Sequence, residues 1–135
     1  MDIFSEIKQL KFPPGEYIVV GSGIMHALGI KKTNDIDIVV RPSLFEKCRK
    51  EDWESIPWTH LEKIGQIFLR KGSIELYLDV NKGGCNPTTG ELIRESVVID
   101  GVPFISLERC MAFKLAYGRE KHLKDVALIE KYLEK

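Results

Sequence analysis

Residues 17 to 40 read Tyr17-Ile-Val-Val-Gly21-Ser22-Gly23-Ile-Met-His26-Ala-Leu-Gly29-Ile-Lys31-Lys32-Thr33-Asn-Asp35-Ile36-Asp37-Ile38-Val-Val40. The pattern is a buried strand, a glycine turn into a short helix, and a second strand that begins with two carboxylates one residue apart. Side chains alternate along a strand, so Asp35 and Asp37 project to one face while Ile36 and Ile38 project to the other. Two anions held that close repel each other unless a cation lies between them, which makes the pair a candidate divalent-metal site. The Gly21-Ser22-Gly23 turn beside it is a candidate phosphate cradle. Ser22 can cap a helix over residues 23–28 whose first amides are unpaired, and Gly29 ends that helix.

The rest of the chain supplies a frame for this stretch. Apolar residues at helical spacing predict a helix over 2–10, broken by Pro13-Pro14-Gly15. After the strand at 35–40, Ser43 is expected to cap a helix over 44–50. Trp53 and Trp58 bracket a less regular stretch and are expected to cover the sheet edge, with stacking on a base as the alternative. A hairpin follows, with strands at 66–70 and 74–80 joined by Lys71-Gly72-Ser73. In its second strand Glu75, Tyr77 and Asp79 share a face, so a third carboxylate can stand beside Asp35 and Asp37. A loop over 81–90, a helix over 89–95 and a strand pair across Asp100-Gly101 lead to Ser106, a good N-cap. Two terminal helices are expected, over 106–117 and 120–134, separated by Gly118, with Leu123, Val126, Ala127, Ile129 and Leu133 as core positions of the second. The expected fold class is α/β (α+β): a small, mixed, mostly antiparallel sheet flanked by helices, with a C-terminal helix pair, in one domain over 1–135.

Bulk properties narrow the function. With 20 basic and 20 acidic residues the chain has no overall field to draw it to nucleic acid, although a local basic patch is compatible with that balance. At 44% hydrophobic and 30% charged residues it has the composition of a globular protein rather than a disordered one. Three widely spaced cysteines, Cys48, Cys85 and Cys110, point to free thiols in a reducing compartment rather than to a zinc clip or disulfide framework. With no basic leader followed by an apolar core and no apolar run of about 18 residues, the expectation is a cytoplasmic protein that does not enter the membrane.

Two phosphate-binding motifs fail on the quoted stretch. The dinucleotide fingerprint needs a third small residue where His26 stands, and a single acid at the far end of the second strand rather than two at its start. A P-loop needs Gly-Lys-Ser/Thr after the turn. The spacing of Gly21-Ser22 from Asp35-Ile36-Asp37-Ile38 instead resembles the signature of the nucleotidyltransferase superfamily that includes DNA polymerase β. It looks closest to the small bacterial and archaeal branch related to the AbiEii toxins, in which Lys31 and Thr33 echo residues before the first acid. Lys114, Arg119, Lys121 and Asp125 echo a C-terminal series of that branch. The resemblance covers residues 15–133. Two departures stand out: His122 where an Asp is usual, and Lys31 where an Arg is usual.

The resemblance implies an Mg²⁺-dependent (or Mn²⁺-dependent) enzyme that moves a nucleoside monophosphate from a triphosphate such as ATP to a hydroxyl on an RNA, a protein or a small molecule, releasing pyrophosphate. Asp35, Asp37 and a third acid would hold the metal. That third acid is expected at Asp79, whose short side chain matches the family's aspartate, with Glu75 as the alternative. Gly21, Ser22, Gly23, Thr33, Lys114, Arg119 and Lys121 would bind the nucleotide. A non-catalytic nucleotidyltransferase-like module, for instance one component of a toxin-antitoxin pair with a partner protein, is the alternative, and an antibiotic-modifying nucleotidyltransferase is a third reading. His26 is expected to be a packed or surface residue rather than a catalytic base. His60 and His122 have no partner at metal-ligand spacing.

Overall fold

The computed structural model describes residues 2–59 and 63–134. His60 therefore lies outside the described residues. The helices are α1 (Ile3–Gln9), α2 (Gly23–Ala27), α3 (Pro42–Arg49), α4 (Thr89–Arg94), α5 (Leu107–Tyr117) and α6 (Glu120–Leu133). The strands are β1 (Tyr17–Val20), β2 (Ile36–Val40), β3 (Glu54–Pro57), β4 (Ile67–Lys71), β5 (Ile74–Tyr77), β6 (Val97–Ile99) and β7 (Val102–Phe104). They form one mixed sheet in the order β3-β4-β5-β2-β1-β7-β6. Among the described residues only β1–β7 and β2–β5 run parallel, so the α+β class and the mostly antiparallel mixed sheet hold.

The central strands are apolar because both their faces are covered. Ile18, Val19, Ile38, Val40, Leu69 and Leu76 are each at most 0% exposed, the pattern of a strand packed on two sides. Local chemistry sets the helix ends. Asp2 caps α1 through Ser5 N–H, Thr88 and Glu91 form a reciprocal capping box on α4, and Ser106 accepts from Arg109 N–H at the start of α5. Gly118 closes α5 at φ +67°, a conformation that costs a side chain energy.

Four details differ from the sequence-based expectation. The helix after β2 starts at Pro42 with Arg41 as its N-cap, not at a Ser43 cap, because proline suits a first helical position whose N–H would be unpaired anyway. The stretch between the tryptophans is an edge strand, β3, paired antiparallel with β4. The strand expected over 74–80 ends at Tyr77, leaving Leu78 40% exposed. In α6 the buried positions are Asp125, Val126 and Ile129, while Leu123, Ala127 and Leu133 are exposed. The buried stripe of α6 includes a charged residue, which hydrophobic periodicity passes over. Among the described residues no helix is long and apolar enough to cross a membrane.

Candidate functional site

The ends of β1 and β2 build the site. The two strands are antiparallel, with Val20 opposite Asp37, so the turn leaving β1 lies against the acid at the start of β2. Gly21 occupies φ +66°, and a Cβ there would stand 2.8 Å from Asp37 Oδ2. Only glycine allows both that backbone and that approach. Gly23 serves packing instead: its missing Cβ would meet Val19 Cγ1 at 2.6 Å, so it seats α2 on β1 rather than facing a ligand.

Ser22 is at the N-cap of α2 but makes no capping bond with its side chain. Its hydroxyl accepts from Lys114 Nζ at 3.0 Å. Lys114, buried on α5, also donates to Asp125 Oδ2 at 2.8 Å, and Lys31 Nζ donates to Asp125 Oδ1 at 2.8 Å. Asp125, 4% exposed, thus ties the loop before β2, α5 and α6 to the Ser22 turn. Burial alone would raise its carboxyl, but hydrogen bonds from Lys114 and Lys31 outweigh that and hold it below the usual carboxylate range.

Thr33 organises the approach to the acids. Its N–H donates to His26 Nδ1 at 3.0 Å, and its hydroxyl accepts from Asp35 N–H at 3.3 Å. His26, half-buried on α2, thus holds the Thr33 backbone in place. The exposed Asp35 and half-buried Asp37 face a polar cleft of about 260 Å³ whose other walls include Ser22, Lys31, Lys114 and Lys121. Arg119 is the N-cap residue of α6, is exposed, and does not line that cleft.

The third acid is where the expectation needs correcting. In the parallel β2–β5 pair Asp37 is in register with Glu75, so Glu75 is its neighbour on the same face. Asp79 lies beyond the end of β5, where strand parity no longer applies. It is paired with the buried Lys63 and accepts from Asn81 N–H at 3.0 Å, which makes it a loop anchor. The Asp35–Asp37–Asp79 set is not brought together. Glu75 is itself engaged: Arg70 donates to Oε2 from Nε at 2.8 Å and from a terminal nitrogen at 2.6 Å, and the Tyr77 hydroxyl donates to Oε1. Among the described residues no group of three His, Cys, Asp or Glu stands together at metal-holding distance.

Electrostatics single out Asp37. Burial, then the charges of Glu75 and Asp35, push its carboxyl up to about 6 against the opposing pull of Lys114 and Lys121. A carboxylate destabilised by its own acidic neighbours is a donor that gains from a divalent cation, and an all-oxygen set suits Mg²⁺ or Mn²⁺. His122 lines the cleft too; burial and the nearby basic side chains lower its imidazole below its ordinary value. Sequence reasoning placed Asp125 in a motif without giving it a role. The available signal was its spacing: residues 122, 125, 126 and 129 share one helix face. No protein-family model matches this chain, and neither the curated proteins nor the solved structures contain a match to it.

Proposed function

We propose that the protein is a nucleotidyltransferase with a nucleotidyltransferase-like fold, transferring a nucleoside monophosphate from a triphosphate to a hydroxyl acceptor. The observation that carries this reading is the close approach of Gly21 to Asp37, which joins the turn after β1 to an acid that burial and two acidic neighbours destabilise more than Lys114 and Lys121 relieve. Beside it Lys114, Lys31 and Lys121 line one cleft.

Each residue then has a task. Asp35 and Asp37 would hold Mg²⁺ or Mn²⁺; when bound, the ion supplies positive charge to the reacting phosphates. Lys114 keeps its ammonium at the Ser22 turn through Asp125, where it attracts the β- and γ-phosphates. Lys31 and Lys121 add charge along the same cleft. The acceptor oxygen forms a bond to the α-phosphorus, the bond from that phosphorus to the bridging oxygen breaks, and pyrophosphate leaves with the electron pair. Glu75, next to Asp37 in the sheet, would take the acceptor's proton once Arg70 and Tyr77 release it.

The reading is tested by calorimetry with Mg²⁺ and each nucleoside triphosphate, together with transfer of α-phosphate label to RNA, protein and small hydroxyl compounds. Binding and transfer that vanish in Asp35→Ala and Asp37→Ala support it. The absence of Mg²⁺-nucleotide binding, or activity indifferent to both substitutions, sinks it. One observation favours a second reading, a non-catalytic nucleotide-binding module acting with a partner protein: Glu75 is held on both oxygens by Arg70 and Tyr77. Nucleotide binding without transfer, unaffected by Glu75→Gln, is the outcome that selects it.

A further inference from the structure

The polar cleft has an apolar neighbour. A cavity of about 210 Å³ lies between the acid-bearing face of the sheet and α5, walled by the rings of Trp58, Tyr77, Phe113 and Tyr117. It shares Gly21, Asp37, Lys114 and His122 with the polar cleft, so the two compartments meet at Asp37. Their chemistry is opposite: lysines and carboxylates on one side, aromatic faces on the other.

The polar groups on the cavity wall are mostly committed to the protein. The Tyr77 hydroxyl donates to Glu75, the Tyr117 hydroxyl donates to the Val80 carbonyl at 2.7 Å, and the Cys110 thiol donates to the Gly21 carbonyl at 3.4 Å. Trp58 is held against Tyr77 and Phe68, with ring centroids 5.3 and 5.1 Å away. Among the described residues the His122 Nδ1 is buried without a hydrogen-bond partner, and the Asp37 carboxylate stands where the cavity joins the cleft. A ligand entering this cavity meets four aromatic rings and one imidazole, with the Asp37 carboxylate and the Lys114 ammonium at the end shared with the polar cleft.

We propose that this cavity holds the nucleobase of the triphosphate whose phosphates occupy the adjoining cleft, and that it takes the base by stacking, with little discrimination among the four bases. This rests on the nucleotidyl-transfer reading above. A nucleoside triphosphate has the same division as the two compartments, an anionic end and an uncharged planar end, and its α-phosphate falls where they meet. Stacking faces are common to every base, whereas discrimination requires several free donors and acceptors aimed at base edges. With the tyrosine hydroxyls and the thiol engaged internally, the wall supplies stacking surface.

Trp58 is the built-in reporter. In a Trp53→Phe background, which removes the buried indole beneath Lys71, the emission of Trp58 is followed while ATP, GTP, CTP, UTP, adenosine or inorganic tripolyphosphate is added with Mg²⁺. Calorimetry gives the affinities. The expected result is quenching by all four nucleotides with affinities within about tenfold of one another, competition between adenosine and ATP, and tripolyphosphate binding without quenching. Trp58→Leu then weakens every nucleotide by about tenfold and leaves tripolyphosphate unchanged. Nucleotides that bind no better than tripolyphosphate and leave Trp58 silent overturn the proposal, as does a preference for one base beyond about a hundredfold, or adenosine that binds alongside ATP. If neither tripolyphosphate nor any nucleotide binds, the nucleotidyl-transfer reading itself fails and the proposal falls with it. That outcome is distinct from tripolyphosphate binding alone.

Discussion

Gly21 and Asp37 are in contact range across the β1–β2 pair: a Cβ on the glycine would lie 2.8 Å from Oδ2 of the aspartate. The backbone there is left-handed, at φ +66°. One substitution therefore disturbs both the turn and the acid.

Gly21→Ala is expected to lower stability by roughly 1–2 kcal/mol, from the left-handed conformation and the displaced carboxylate. Urea denaturation reads the loss. Calorimetry is expected to show Mg²⁺-nucleotide binding weakened by about tenfold or more, because the carboxylate must move away from the turn. Unchanged binding would separate the turn from the site.

Asp37 imposes a cost on the ligand-free fold. Its folded value is raised to about 6, so the fold prefers the protonated form. The penalty is absent below about pH 4, grows as pH rises, and is complete above about 6. Asp37→Asn is expected to stabilise the ligand-free protein by about 1–2 kcal/mol at pH 8, after discounting for partial exposure, and by nothing near pH 3.5. Thermal unfolding across that range checks the sign.

Mg²⁺ or Mn²⁺ competes with the same proton. Affinity is expected to rise by about tenfold per pH unit up to roughly 6 and then level off, and metal removal is expected to abolish nucleotide binding. Titration calorimetry at four pH values reads the slope. A flat profile would place the ion away from Asp37.

Asp125 sits between two lysines, and removing its charge leaves Lys114 buried without compensation. Asp125→Asn is expected to cost on the order of 2–4 kcal/mol, whereas Lys31→Met, which removes a half-exposed partner, costs below about 1 kcal/mol. Because the Asp125 carboxyl is depressed in the fold, its contribution is present above about pH 4, its ordinary range, and is lost as pH falls through the folded value. The variant is therefore expected to lose less stability on acidification than the parent chain does, by urea denaturation at pH 7 and pH 3.

Glu75 and Asp79 should separate cleanly. Glu75→Gln is expected to reduce transfer by about a hundredfold or more, while Asp79→Asn loosens the Lys63 anchor without touching the chemistry. Arg70→Ala releases one oxygen of Glu75, leaving the other bonded to Tyr77, and is expected to raise the transfer rate. Kinetics of label transfer and metal titrations distinguish the three; a larger loss in Asp79→Asn than in Glu75→Gln would reverse the assignment.

Much of this protein was legible in the chain itself because it depends on local rules. Strand alternation placed Asp35 and Asp37 on one face, glycine and proline marked the turns, and Ser106 and Gly118 bounded α5. The quoted stretch from Tyr17 to Val40 folds with β1, α2 and β2 in the predicted order, but β2 begins at Ile36, so that Asp35 stands just before the strand, and the Ser22 side chain does not cap α2. Other features depend on pairing between distant segments, which no local pattern encodes. Parity allowed both Glu75 and Asp79; only the register of β2 with β5 sets Glu75 beside Asp37. Hydrophobic spacing counted Leu123 and Leu133 as core, but the buried face of α6 is set by Asp125 meeting Lys31 and Lys114 from two other elements. The chain alone determined which residues can carry charge at the site. Tertiary structure decided which of those charges meet, because a carboxylate's neighbours come from strands and helices far apart in sequence.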